Sequence, residues 1–203
     1  MKQWVEEKDF STVYETSNWG MKESCYCGSF LLSEQMIENW LYVVKRDILN
    51  IITSLGGDCD INSGDKRPVF CCVKDNKVDG LYWAIPTSDI SHRDKSQIEY
   101  YNMCMQCNEK DLRSCYYHIV HGNRTALYKI SSCYPITDKY IDHEYTVNKT
   151  HVVIQRKEDI IEINRKFRRI ISMENRKPNY FRQHITDIKN YLIQELESEK
   201  QNN

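Results

Sequence analysis

Gly80-Leu81-Tyr82-Trp83-Ala84-Ile85-Pro86-Thr87-Ser88-Asp89-Ile90-Ser91-His92-Arg93 is the stretch from which the rest of the chain can be ordered. Its apolar, aromatic first half has strand character. Pro86, with no N–H to give a ladder, is expected to end the strand. Hydroxyls, a carboxylate, an imidazole and a guanidinium follow, so Thr87 to Arg93 reads as a polar loop on a rigid support. Taken alone, the same pattern also describes a strand and its solvated turn.

Upstream, Val69-Phe70-Cys71-Cys72-Val73 reads as a buried strand, and Asp75-Asn76-Lys77 as the turn of an antiparallel hairpin that returns through Gly80 to Ile85. Such a hairpin brings Thr87 and Ser88 to the end at which Lys66 and Arg67 enter. Cations beside hydroxyls suit an anionic ligand. Further out, Met36, Ile37, Trp40, Leu41, Val44, Ile48 and Ile51 recur at three- and four-residue steps, which predicts a core-packing helix from Leu31 to Ser54, stopped by Gly56 and Gly57. A helix is expected over Ser91 to Lys110. A second hairpin is expected from Asp111 to Ser131 with its turn at His121 to Arg124, Pro135 closing that region, and a short strand at His151 to Ile154 follows. Two helices finish the chain. Ile160, Ile163, Phe167, Ile170 and Ile171 mark one, and Phe181, Ile185, Ile188, Leu192 and Leu196 the other. The tail from Ser198 to Asn203 is expected to fray.

With 203 residues and 40% of them hydrophobic, the chain can form a real core. The pattern divides it into an N-terminal extension, 1–57, a main α+β domain, 58–197, and the short tail. A net charge of −1 gives no general attraction to nucleic acid, but Lys149 to Tyr191 holds eleven Lys/Arg against five Asp/Glu. A basic face is therefore expected on the closing helices, with Arg165, Arg169, Arg182 and Lys189 on it. The first residues lack an apolar signal-peptide core, and no apolar run reaches the ~18 residues of a membrane span. A soluble cytoplasmic protein with no membrane partner is the expectation. Nine cysteines, an odd number, fit reduced thiols in that compartment. Cys104-x-x-Cys107 is the only zinc-like spacing and lacks a second pair, so no metal is expected, although a zinc-stabilised interaction domain built on those two thiols is one competing reading.

Several stretches together resemble a known family. Arg67-Pro68-Val69-Phe70-Cys71-Cys72, Gly80 to Arg93, Arg113-Ser114-Cys115-Tyr116-Tyr117-His118, Pro135-Ile136-Thr137-Asp138-Lys139-Tyr140-Ile141 and Phe181-Arg182-Gln183-His184-Ile185 are similar to toxins of type III toxin–antitoxin systems, in the CptIN branch related to ToxN and AbiQ. The likeness covers roughly residues 60–197. It implies a strongly curved antiparallel sheet flanked by helices, distantly like MazF and Kid. It also implies a metal-independent, cofactor-free endoribonuclease that cuts single-stranded RNA, with no DNA substrate expected. The partner it implies is a pseudoknot antitoxin RNA, which the toxin processes and which then inhibits it in a closed ring.

Metal-free RNA cleavage uses the ribose 2′-hydroxyl as nucleophile, which DNA lacks, and leaves a 2′,3′-cyclic phosphate. It needs proton transfer and contacts to the crowded phosphate. The resemblance assigns phosphate contacts to Thr87 and Ser88, and matches Lys66 or Arg67 to a basic residue before the family's first central strand. Where the family carries a lysine this chain has Ile90, so His92 and Arg93 are the nearest substitutes, one for proton transfer and one for holding phosphate. His118 and His121 stand in reserve, and Tyr116 and Tyr117 are candidates for stacking on bases. A non-catalytic RNA-binding regulator using the same basic face is the other competing reading.

Overall fold

A computed structural model describes residues 36–59, 68–122 and 125–201. Lys66, Arg67 and the N-terminal part of the expected first helix lie outside these residues. The described elements are β1 (Trp40–Val44), α1 (Arg46–Ser54), β2 (Pro68–Lys74), β3 (Leu81–Asp89), α2 (Lys95–Met105), β4 (Tyr117–Val120), β5 (Ala126–Lys129), β6 (Tyr134–Thr137), β7 (Ile141–Glu144), β8 (Thr146–Val147), β9 (Thr150–His151), α3 (Lys157–Arg176) and α4 (Ile185–Gln201). The architecture is α+β, with the larger sheet antiparallel throughout and ordered β4-β5-β3-β2-β1-β7.

β3 divides one of its edges between two neighbours. Leu81 to Ala84 pair with β6, and Thr87 to Asp89 pair with β5. Pro86 falls between the two ladders, where its missing N–H leaves no gap in either. The expectation that Pro86 ends the strand is therefore wrong: β3 runs on to Asp89, and only then does a 3₁₀ turn, Ile90–His92, begin. Pro135 is likewise inside a strand, opposite Trp83.

β2 and β3 are covered on both faces. Val69, Cys71, Tyr82 and Ala84 pack with Ile48 and Ile52 of α1 and Ile188 and Leu192 of α4. Phe70, Trp83 and Ile85 point the other way, onto Ile163, Phe167 and Ile170 of α3. Strand alternation thus sends successive side chains into two helix-covered cores.

The helix expected over Leu31 to Ser54 is corrected. Trp40-Leu41-Tyr42-Val43-Val44 is a strand held between β2 and β7, and α1 begins at Arg46. A strand buried on both faces shows no alternation, and its aromatic and β-branched residues happen to fall at helical steps. β1 sits inside the main sheet, so Met36 to Gly57 fold as part of the same body as the rest. β4 is shorter than expected, since Leu112–Cys115 form a 3₁₀ turn before it. α4 remains helical beyond Ser198, as far as Gln201. Among the described residues, no helix is long and apolar enough to cross a membrane.

Candidate functional site

At the end of the β2–β3 ladder, beside Pro86, lies a cavity of about 210 Å³. Its wall includes Thr87 from β3, Lys129 from the end of β5, Ser132 from the turn behind it, and Arg182 and Gln183 from the α3–α4 connection. The Thr87 hydroxyl donates to the carbonyl oxygen of Pro68 at 2.7 Å, so β2 begins at the rim of this cavity. Arg182 is paired with Asp58, which also lines the cavity. The two side chains are 83% and 53% exposed. A pair this wet gains little net energy, so its guanidinium can be drawn onto a doubly charged oxyanion at small cost.

The α3–α4 connection is rigidly built. The Glu174 carboxylate is only 3% exposed and takes hydrogen bonds from the backbone N–H groups of Asn179 (2.7 Å), Tyr180 (3.1 Å) and Thr186 (3.1 Å), and from the Thr186 hydroxyl (2.6 Å). Asn179 and His184 both adopt left-handed φ values, 55° and 56°, which fold the segment back on itself. At the far side, Asp58 N–H donates to the Arg182 carbonyl oxygen at 2.7 Å. A Cβ on Gly57 would run into the backbone of Gln183 and come within 2.8 Å of Ile52 Cγ2, so glycine is what lets the end of α1 close on this loop.

Two of the residues singled out from the sequence, Thr87 and Arg182, meet in the cavity. Ser88, His92 and Arg93 do not line it. Because β3 continues, Thr87 and Ser88 point to opposite faces and cannot hold one phosphate as a pair. Ser88 Oγ and Arg93 Nε are buried without a hydrogen-bond partner. His92 is exposed on the 3₁₀ turn, which Asp89 caps by accepting from Ser91 N–H at 2.8 Å and Ser91 Oγ at 2.6 Å. Thr87, Tyr128 and His118 form a row across three strands, so His118 stands two strand spacings, roughly 10 Å, from Thr87.

His118 belongs to a different cluster. Its Nε2 lies 3.0 Å from Asp159 Oδ1, and next to it Lys166, 6% exposed, donates to the Tyr117 carbonyl oxygen at 2.8 Å. Burial pushes His118 below the usual imidazole range, with the hydrogen bond to Asp159 working against it. Burial also lowers Lys166, against the pull of Glu162.

The expected basic face is largely spent on internal contacts. Arg165 forks onto Glu162 at 2.8 Å through both Nε and Nη2. Arg169 donates to the carbonyl oxygens of Glu109 and Lys110. Lys189, expected on the outer side of its helix, meets Asp75 at 2.6 Å and stands 5.4 Å from the centre of the Trp83 ring, so it fastens α4 to the β2–β3 turn.

Lys129, Ser132 and Gln183 were not foreseen. Gln183 sits in a stretch that carries the family resemblance, so a signal for it existed. Lys129 and Ser132 reach the cavity only through the register of β5 on β3. Cys104 is fully buried and Cys107 donates to the Met103 carbonyl oxygen at 3.4 Å; among the described residues no three His, Cys, Asp or Glu side chains group as metal ligands. No protein-family model matches the chain, and no curated protein sequence matches it.

Proposed function

We propose that this chain is a metal-independent endoribonuclease, the toxin of a type III toxin–antitoxin system of the CptIN branch, acting on single-stranded RNA and held in check by a pseudoknot antitoxin RNA. In this reading the sheet is the MazF/Kid-like toxin core and the protein serves in phage defence. The observation that carries it is the cavity at the β2–β3 end, where Thr87, Lys129, Ser132 and Arg182 line a space at the start of β2. Hydroxyls and cations around a small cleft are what a crowded, doubly substituted phosphate needs. The ribose then supplies its own nucleophile. Lys129 and Arg182 hold the phosphoryl oxygens, and Lys66 and Arg67 are the further cations this reading draws in. His92 and Arg93, off the cavity wall, lose their proposed part in the reaction, and His118 keeps only a structural one.

The test is cleavage of single-stranded RNA by purified protein in excess chelator. New ends bearing 2′,3′-cyclic phosphate, and resistance of a 2′-O-methyl substrate, are expected. Arg182→Ala and Thr87→Val should each slow cutting by about 10²-fold or more. Intact RNA in chelator, or full rate in both variants, overturns the reading. One observation favours a non-catalytic RNA-binding regulator instead: among the described residues lining the cavity there is no imidazole, and the Thr87 hydroxyl is already engaged. Tight, salt-sensitive binding with no cutting would establish that alternative.

A further inference from the structure

The α3–α4 connection carries, next to Arg182, an aromatic ring in a setting that packing alone does not account for. Tyr180 is 39% exposed, yet its backbone N–H is locked to Glu174 and its ring lies 5.1 Å, edge to face, from the buried Phe181 ring. Lys177 Nζ stands 5.1 Å from the centre of the Tyr180 ring. Two peptide steps separate Tyr180 from Arg182, so their Cα atoms are at most about 7 Å apart. An exposed ring, held by a fixed backbone and with a cation over it, thus shares a short connection with Arg182, which lines a cavity suited to phosphate. Rigid presentation matters because an immobile aromatic loses little entropy when it is covered.

We infer that Tyr180 is a nucleobase platform, with Lys177 beside it for the adjoining phosphate, and that it takes an unpaired base of the strand whose phosphate enters the Arg182 cavity. This rests on the RNA reading above and deepens it. A base inside a duplex has no free face to offer, so the platform selects single strands. Recognition through a π-face tolerates all bases and favours the larger purines.

The experiment measures binding of the full chain to three probes: an uncleavable 2′-O-methyl oligoadenylate, the same strand annealed to its complement, and inorganic phosphate. Wild-type protein is expected to prefer the single strand. Tyr180→Ala should weaken single-strand binding about 5- to 100-fold while leaving phosphate binding and the melting temperature unchanged. Tyr180→Trp should restore binding and show indole fluorescence quenched by the oligonucleotide. Equal single-strand affinity in wild type and Tyr180→Ala, with phosphate still bound, overturns the platform alone. A wild-type protein that binds neither oligonucleotide nor phosphate overturns the cavity reading as well.

Discussion

Replacing Glu174 by glutamine tests whether the loop beneath the cavity is organised by one carboxylate. Glu174 accepts four hydrogen bonds, three of them from backbone N–H groups, of which the Tyr180 N–H also reaches the Lys177 carbonyl oxygen at 3.2 Å. Glutamine has the same shape, and its carbonyl oxygen can keep the bonds from Asn179 and Thr186. Its amide must then point at the Tyr180 N–H, donor against donor. One bond to a charged acceptor is lost, the others weaken with the charge, and the Tyr180 N–H is left with only the Lys177 carbonyl oxygen. Hydrogen bonds to charged groups contribute about 1.5–3 kcal/mol. The Lys177 carbonyl offsets part of this, so the expected loss is about 2 kcal/mol, or roughly 4–8 °C in melting temperature for a chain of this size. Urea denaturation at neutral pH measures the first quantity. Hydrogen exchange at Asn179, Tyr180 and Thr186 shows whether the loss is local. A glutamine variant within about 0.5 kcal/mol of wild type, with those amides equally protected, refutes the argument.

Two further predictions concern groups that titrate or pair inside the fold. Lys189→Met should cost about 2–3 kcal/mol by urea denaturation, less than a wholly stranded charge, because Trp83 Nε1 and the N–H groups of Lys77 and Val78 still reach Asp75. Burial works to raise the Asp75 pKa, but the hydrogen bond from Lys189 and the other donors bring it below the usual value. That stability is complete above the unfolded carboxylate range near pH 4 and is lost as pH falls through the lower folded value, so the variant should show a flatter acid limb. His118 is pushed down by burial, so the unfolded chain binds its proton first; stability should fall as pH drops below the ordinary imidazole value of about 6.5. His118→Gln should remove that part of the slope between pH 7 and pH 5, and an unchanged slope would show that other groups set it.

The elements that the sequence announces are those whose faces differ. α3 and α4 each bury one stripe, and the β2–β3 hairpin has its turn residues where expected. Trp40 to Val44 could not be read the same way, because a strand covered on both sides carries no period. Pro86 misled for a related reason: a missing N–H ends a strand only if a partner needs that donor, and here the partner changes at that point. Thr87 and Arg182 were legible as candidate groups, one from its place after the apolar run and one from a motif. Lys129 was not, since nothing local says that the end of β5 reaches the cavity. Charge was the poorest guide. A count of lysines and arginines is visible in the chain, but that Lys189 meets a carboxylate 114 residues away is decided by tertiary packing.

The change of partner along β3 has a mechanical outcome. Among the described residues, β3 is the sole strand common to both ladders: β6, β2, β1 and β7 gather about its first half, and β5 and β4 about its second. The cavity straddles that joint, with Pro68 and Val69 from one group and Lys129 from the other. A twist of one strand group against the other near Pro86 would therefore change its width.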